Sequence, residues 1–148
     1  MRELPGAVLF ACDQNTVRSA MAEAMLKQLH GARIYVDSAG VRAGAPDPFA
    51  AAVLQEIGLD LSRHRPKSLD DLPDTSFDVI VTLSPPAQHR AIEMTRTLAC
   101  EVEYWPTYDP SMFEGMSREA TLEGYRQIRD HLLAKIKAQH PGLPVIVM

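Results

Sequence analysis

One stretch limits what this chain can fold into more than any other. Val8-Leu9-Phe10-Ala11 is an apolar run too short for a helix; it ends at Cys12 and gives way to Asp13-Gln14-Asn15-Thr16-Val17. From Arg18-Ser19 onward a helical pattern takes over. Strand, tight loop and helix N-terminus in direct succession present a ring of free backbone N–H groups to an anion. A cysteine on the last residue of the strand lies beneath whatever that ring holds. The helix dipole and the Arg18 guanidinium both favour its thiolate. A thiolate under a bound oxyanion is a layout for nucleophilic attack on phosphorus or arsenic.

The rest of the chain supplies the frame for that loop. The first strand spans about Gly6–Ala11, with Cys12 at its end, and Met21, Ala22, Met25, Leu26 and Leu29 form an apolar stripe at helical spacing up to Gly31. Arg33–Asp37 reads as a second strand, followed by Ser38-Ala39-Gly40. Asp47 caps a second helix with Pro48 in its first turn, a stripe of Ala50, Val53, Leu54 and Ile57, and a stop at Gly58. Phe77–Leu83 is a nearly continuous apolar run, as for a strand covered on both faces. Ser84-Pro85 opens a helix to about Leu98, Glu101–Trp105 is a fourth strand, and Ser117 caps a long helix that turns Leu122, Tyr125, Ile128, Leu132 and Ile136 inward. The apolar tail Pro144–Met148 is strand-like and has no assigned place.

This alternation predicts an α/β, flavodoxin-like, doubly wound four-stranded parallel sheet with helices on both faces, in a single domain spanning residues 1–148. Ligands of such sheets bind beyond the carboxyl ends of the strands. Cys12, Ser38, Ser84 and Asp109 each follow a strand, so all four fall on one edge. Cys100 precedes the fourth strand and belongs at the opposite edge, about 17 Å away. It is expected to be a small buried hydrophobe rather than a partner thiol.

Composition narrows the function classes. A formal net charge of −4 argues against a nucleic-acid partner, and no apolar run is long enough for a membrane span. The N-terminus lacks the order of a signal peptide, and two cysteines form no disulfide framework, so the cytoplasm is the expected compartment. His30, His64, His89, His131 and His140 show no metal-ligand spacing, which predicts chemistry with neither metal nor cofactor.

Cys12-x5-Arg18-Ser19 followed by Met21-Ala22-Glu23 resembles the signature of the low-molecular-weight protein tyrosine phosphatase superfamily, which includes the thioredoxin-coupled arsenate reductases. Val36-Asp37-Ser38-Ala39-Gly40, Pro46-Asp47-Pro48, Gly58–Arg65 and Asp109-Pro110 extend the resemblance along most of the chain. It implies Cys12 as nucleophile, Arg18 as bidentate oxyanion clamp and Asp109 as general acid and then base. It also implies a substrate-binding loop of Asp13, Gln14, Asn15, Thr16, Val17, Arg18 and Ser19. Asn15, Ser19, Ser38 and His64 would support that loop. Arg63-His64-Arg65-Pro66-Lys67 otherwise reads as a solvated basic loop.

The departures are as informative. Many relatives carry glycine where this chain has Gln14, and a positive φ there would be strained. Asp13 sets a negative charge beside an anion site unless it points outward. Val17 replaces a second loop cysteine, and Ser84 stands where the thioredoxin-coupled reductases keep a redox thiol. Ser111, Met112 and Phe113 replace the tyrosines usual after Asp-Pro. With no aromatic in Val41–Ala45 either, weak discrimination for aromatic substrates is expected. The reading is a cysteine-based phosphomonoesterase acting through a phosphocysteine, as a monomer or weak dimer. Its substrate would be a phosphorylated protein, a small phosphomonoester or another oxyanion. The alternatives are a single-cysteine arsenate reductase using an external thiol, and a non-catalytic oxyanion or phosphopeptide binder.

Overall fold

The computed structural model describes residues 5–72, 76–97 and 99–139; the predicted tail strand Pro144–Met148 and the predicted helix end at Leu98 lie outside them. Four strands, β1 (Ala7–Cys12), β2 (Tyr35–Gly40), β3 (Val79–Thr82) and β4 (Glu101–Tyr104), form one parallel sheet in the order β2-β1-β3-β4. The order reverses between β1 and β3, which is the switch point where such sheets leave a crevice. Cys12 pairs with Gly40 across that end.

Alternation along β1 divides the core. Val8, Phe10 and Cys12 face a large apolar cluster with Met21, Met25 and Leu26 of α1 (Arg18–His30), Val53 and Leu54 of α2 (Pro48–Gln55), and Ile128, Leu132 and Ile136 of α4 (Arg118–Gln139). Leu9 and Ala11 face a smaller cluster with Ala87 and Ala91 of α3 (Pro85–Met94), together with Leu69, Phe77 and Ile80. Each large side chain so buried contributes about 1.5–3 kcal/mol by leaving water. The predicted fold, with helices on both faces, is the observed one.

Several boundaries move. β2 begins two residues later than predicted and runs through Ser38, Ala39 and Gly40, because these small, fully covered residues pair with Phe10, Ala11 and Cys12. Ser38 therefore lies within the strand rather than after it. Gly40 is needed there: a Cβ would stand 2.7 Å from the backbone N of Asn15. Leu29 and Ile57, predicted to face inward, are exposed at the ends of their helices. α2 and α3 stop at Gln55 and Met94, earlier than predicted, and 3-10 turns cover Leu69–Asp71 and Pro110–Phe113.

α2 and α4 are also tied by charge. Glu56 takes hydrogen bonds from Arg126 and Arg129, and the first of these, then the second, holds its carboxyl at about 2. Among the described residues no helix is long and apolar enough to cross a membrane.

Candidate active site

The loop between β1 and α1 has its carbonyls turned outward. The Cys12, Asp13 and Gln14 oxygens accept from the N–H groups of Val41, Arg42 and Gly44 at 2.9, 3.0 and 2.9 Å. The Asn15 oxygen accepts from His64 Nε2 at 2.7 Å, and the Val17 oxygen from Met21. The backbone N–H groups of Asp13–Val17, by contrast, have no hydrogen-bond partner among the described residues. Asn15, Thr16 and Val17 are buried, so those donors carry a desolvation cost that an oxyanion removes. α1 also lacks a side-chain cap at Val17, while α2, α3 and α4 are capped by Asp47, Ser84 and Ser117.

Behind the loop a chain of hydrogen bonds has a fixed direction. Glu23 can only accept, so Ser38 donates its proton to Glu23 Oε1 and accepts from Asn15 Nδ2 at 2.8 Å. Asn15 is oriented by its Oδ1, which accepts from the Lys67 N–H at 3.0 Å. Its second Nδ2 proton goes to Ser19 Oγ at 2.8 Å, which leaves the Ser19 hydroxyl proton for Cys12 Sγ at 2.9 Å. The Ser19 N–H adds a longer bond to the same sulfur at 3.4 Å. Two donors, the Ser19 hydroxyl and the Ser19 N–H, thus converge on the Cys12 sulfur. Asn15 holds this position with φ of 60°, a conformation asparagine tolerates better than most residues. The strain expected at Gln14 therefore falls one residue later, and Gln14 itself packs its side chain against Gly44.

In front of the loop lies a cavity of about 360 Å³ lined by Cys12, Gln14, Thr16, Arg18, Asp109 and Tyr125, among others. The structure thus brings Cys12, Arg18 and Asp109 to one space. Asp13, Thr16 and Val17 line it too, while the Asn15, Ser19, Ser38 and His64 side chains stand behind the loop, outside that lining. Asp13 does not point outward: its carboxylate reaches Arg18 and Ser84. Asp109 caps the following turn through Ser111 N–H at 2.9 Å. Partial burial raises its carboxyl's proton affinity, but the Ser111 hydrogen bonds and the Arg18 charge outweigh that and hold it below the ordinary carboxylate range. A doubly charged anion beside Arg18 would offset the Arg18 share of that lowering, while the Ser111 hydrogen bonds remain.

Some residues escaped the sequence reading. Glu23 follows Ser19 by four positions, a spacing that puts both on one helix face and was available as a signal. Lys67 donates through Nζ to Asp37 at 2.6 Å as well as through its N–H to Asn15, so it is no merely solvated residue. Tyr125, on the inward stripe of α4, is buried as that stripe predicts, yet it also lines the cavity and donates its hydroxyl to Asp47 at 2.8 Å. It supplies an aromatic surface where none was expected; burial and the Asp47 carboxylate raise its proton affinity. Phe113 packs on Gly124 and Tyr125 instead of lining the cavity. Cys100 lies before β4, at the opposite edge from Cys12, as the strand register requires.

The model of the low molecular weight phosphotyrosine protein phosphatase family matches residues 7–142, and the chain belongs to that family of enzymes. Within it, the chain is 31% identical to a glutaredoxin arsenate reductase of Synechocystis over 87% of this chain and 97% of that protein. A solved arsenate reductase in its phosphate-binding state superposes with a TM-score of 0.70 at 26% identity, over 90% of this chain and 95% of the other. The tyrosine phosphatase AmsI of Erwinia amylovora superposes with a TM-score of 0.75 at 18% identity, over 95% of each chain, and so shares the fold.

Proposed function

We propose that the chain is a cysteine-based phosphomonoesterase, acting on a phosphorylated protein or a small phosphomonoester. The observation that carries this reading is the shared cavity of Cys12, Arg18 and Asp109 over a loop whose N–H groups have no partner among the described residues. The Cys12 thiolate attacks phosphorus in line, forming a P–S bond as the P–O bond to the leaving group breaks. Asp109 gives its proton to the leaving oxygen. Arg18 and the loop N–H groups bear the charge on the remaining oxygens. Asp109, now a carboxylate, takes a proton from water as that water attacks the phosphocysteine. Inorganic phosphate leaves, and the Ser19 hydroxyl stabilises the returning thiolate.

A second reading is favoured by the names of the relatives. Arsenate would be attacked by Cys12 with loss of water, and an external thiol would then attack the Cys12 sulfur. Two electrons pass to arsenic, arsenite leaves, and a mixed disulfide remains for a second thiol to reduce. The external thiol is required because the chain has two cysteines and they lie at opposite sheet edges. Parallel assays separate the readings. Turnover of p-nitrophenyl phosphate without added thiol supports the phosphatase, whereas thiol-dependent arsenite release with no phosphate hydrolysis supports the reductase.

A further inference from the structure

Asp13 follows the nucleophilic cysteine directly, where a negative charge opposes anion binding, and it lines the cavity. Its contacts show what it does there. Oδ2 stands 3.3 Å from Arg18 Nη2, and Oδ1 accepts from Ser84 Oγ at 2.6 Å. Ser84 in turn accepts the Ala87 N–H at 3.4 Å as the cap of α3, so its one proton is directed to Asp13. The positive end of the α3 dipole supports the carboxylate from the same side. Arg18 is buried, and its Nη1 donates to the Thr107 carbonyl at 3.3 Å. The guanidinium is therefore flanked by two partners, Asp13 of the β1–α1 loop, itself bonded to Ser84 at the start of α3, and the Thr107 carbonyl from the segment after β4.

We propose that Asp13 is a positioning residue, anchored by Ser84, that fixes the orientation of Arg18 towards the oxyanion. The proposal rests on Arg18 as the oxyanion clamp. A guanidinium that must meet two oxygens at once gains from being fixed beforehand, since reorienting it during the reaction costs rate. The carboxylate also repels the anion, so Asp13 trades some affinity for orientation. These two effects have opposite signs, which makes the role separable from a structural one.

The test compares the wild type with Asp13→Asn, Ser84→Ala and Arg18→Lys in the full chain. Three quantities are measured: the Kd of inorganic phosphate by calorimetry, kcat on p-nitrophenyl phosphate, and the Arg18 Nη resonances by ¹⁵N NMR. In the wild type the Nη signals are expected to be resolved, since a guanidinium held by Asp13 and Thr107 does not rotate freely. Asp13→Asn is expected to merge them and to lower kcat up to about 10²-fold, while phosphate binds as tightly or more tightly. Ser84→Ala moves both readings the same way by less, and covers the case in which Asp13→Asn fails to fold. Resolved Nη signals and unchanged kcat in both variants would overturn the proposal. So would a parallel loss of kcat and phosphate affinity. Arg18→Lys that binds phosphate as the wild type does would overturn the clamp reading itself, a failure distinguishable from that of Asp13 alone.

Discussion

α1 and α3 begin side by side at the same edge of the sheet, after the neighbouring strands β1 and β3, yet their N-termini are built for opposite ends. α3 is closed: Ser84 caps Ala87 N–H, and Pro85 and Pro86 fill the first turn with residues that have no N–H to offer. α1 is open: Val17 provides no cap, and the N–H groups of the preceding loop have no partner among the described residues. Both ends carry the same partial positive charge. Of these two, among the described residues, the open one alone has donors left to give, which suits the start of α1 and not that of α3 to an oxyanion. α3 uses its end to hold Asp13, and through it Arg18, in place.

The sharpest way to break this contrast is at the sulfur over the open end. Cys12→Ser is expected to abolish turnover while phosphate still binds, as measured by calorimetry, because the loop donors and Arg18 remain. Loss of binding together with turnover would mean the loop itself had collapsed.

Asp109→Asn comes next. General-acid assistance is worth about 10²–10⁴-fold, so kcat/KM on phenyl phosphate, which reports the steps up to phosphoryl transfer, should fall by that order, and much less on p-nitrophenyl phosphate, whose leaving group needs no proton. A loss independent of the leaving group would leave Asp109 as only the cap of its turn.

Asn15→Ala tests whether the open loop is held from behind. It strips donors from Ser19 and Ser38 and an acceptor from Lys67 N–H, and it puts alanine at a φ of 60°. The expected cost is about 2–3 kcal/mol in urea unfolding, with phosphate affinity falling in parallel. Full stability would show that the network is not what shapes the loop.

The smallest effect is expected at the closed end. Pro86→Ala restores an N–H to the first turn of α3, yet Ser84 already caps that turn and the cavity is lined without it. Phosphate affinity should not change. Tighter binding would show that α3 contributes to the anion site and would erase the contrast.

How far the sequence reached follows the same division. Cys12, Arg18 and Ser19 were legible because strand, loop and helix succeed one another within a few residues, and local chemistry decides what they can do. Asp109 was legible from strand order alone, since residues after parallel strands gather at one edge. Tyr125 was not: an apolar stripe shows that a side chain is buried, not which cavity its covered surface borders. Its partner Asp47 is distant in sequence and read completely as a helix cap, a role it also has. Asp13 reads from the sequence only as a charge beside the anion site, and its partners there are not legible. Arg18 reaches it from within the same loop, but Ser84 does so only once β1 and β3 are adjacent.

Cysteine-based hydrolysis requires a covalent phosphorus–sulfur bond at Cys12. Rapid acid quench of Asp109→Asn during turnover of p-nitrophenyl phosphate, followed by peptide mass spectrometry, reads it directly. With the leaving group no longer limiting and the base for water removed, phosphate should accumulate on the sulfur of Cys12. Continued turnover with no phosphate on Cys12, or with phosphate on another residue, would contradict it.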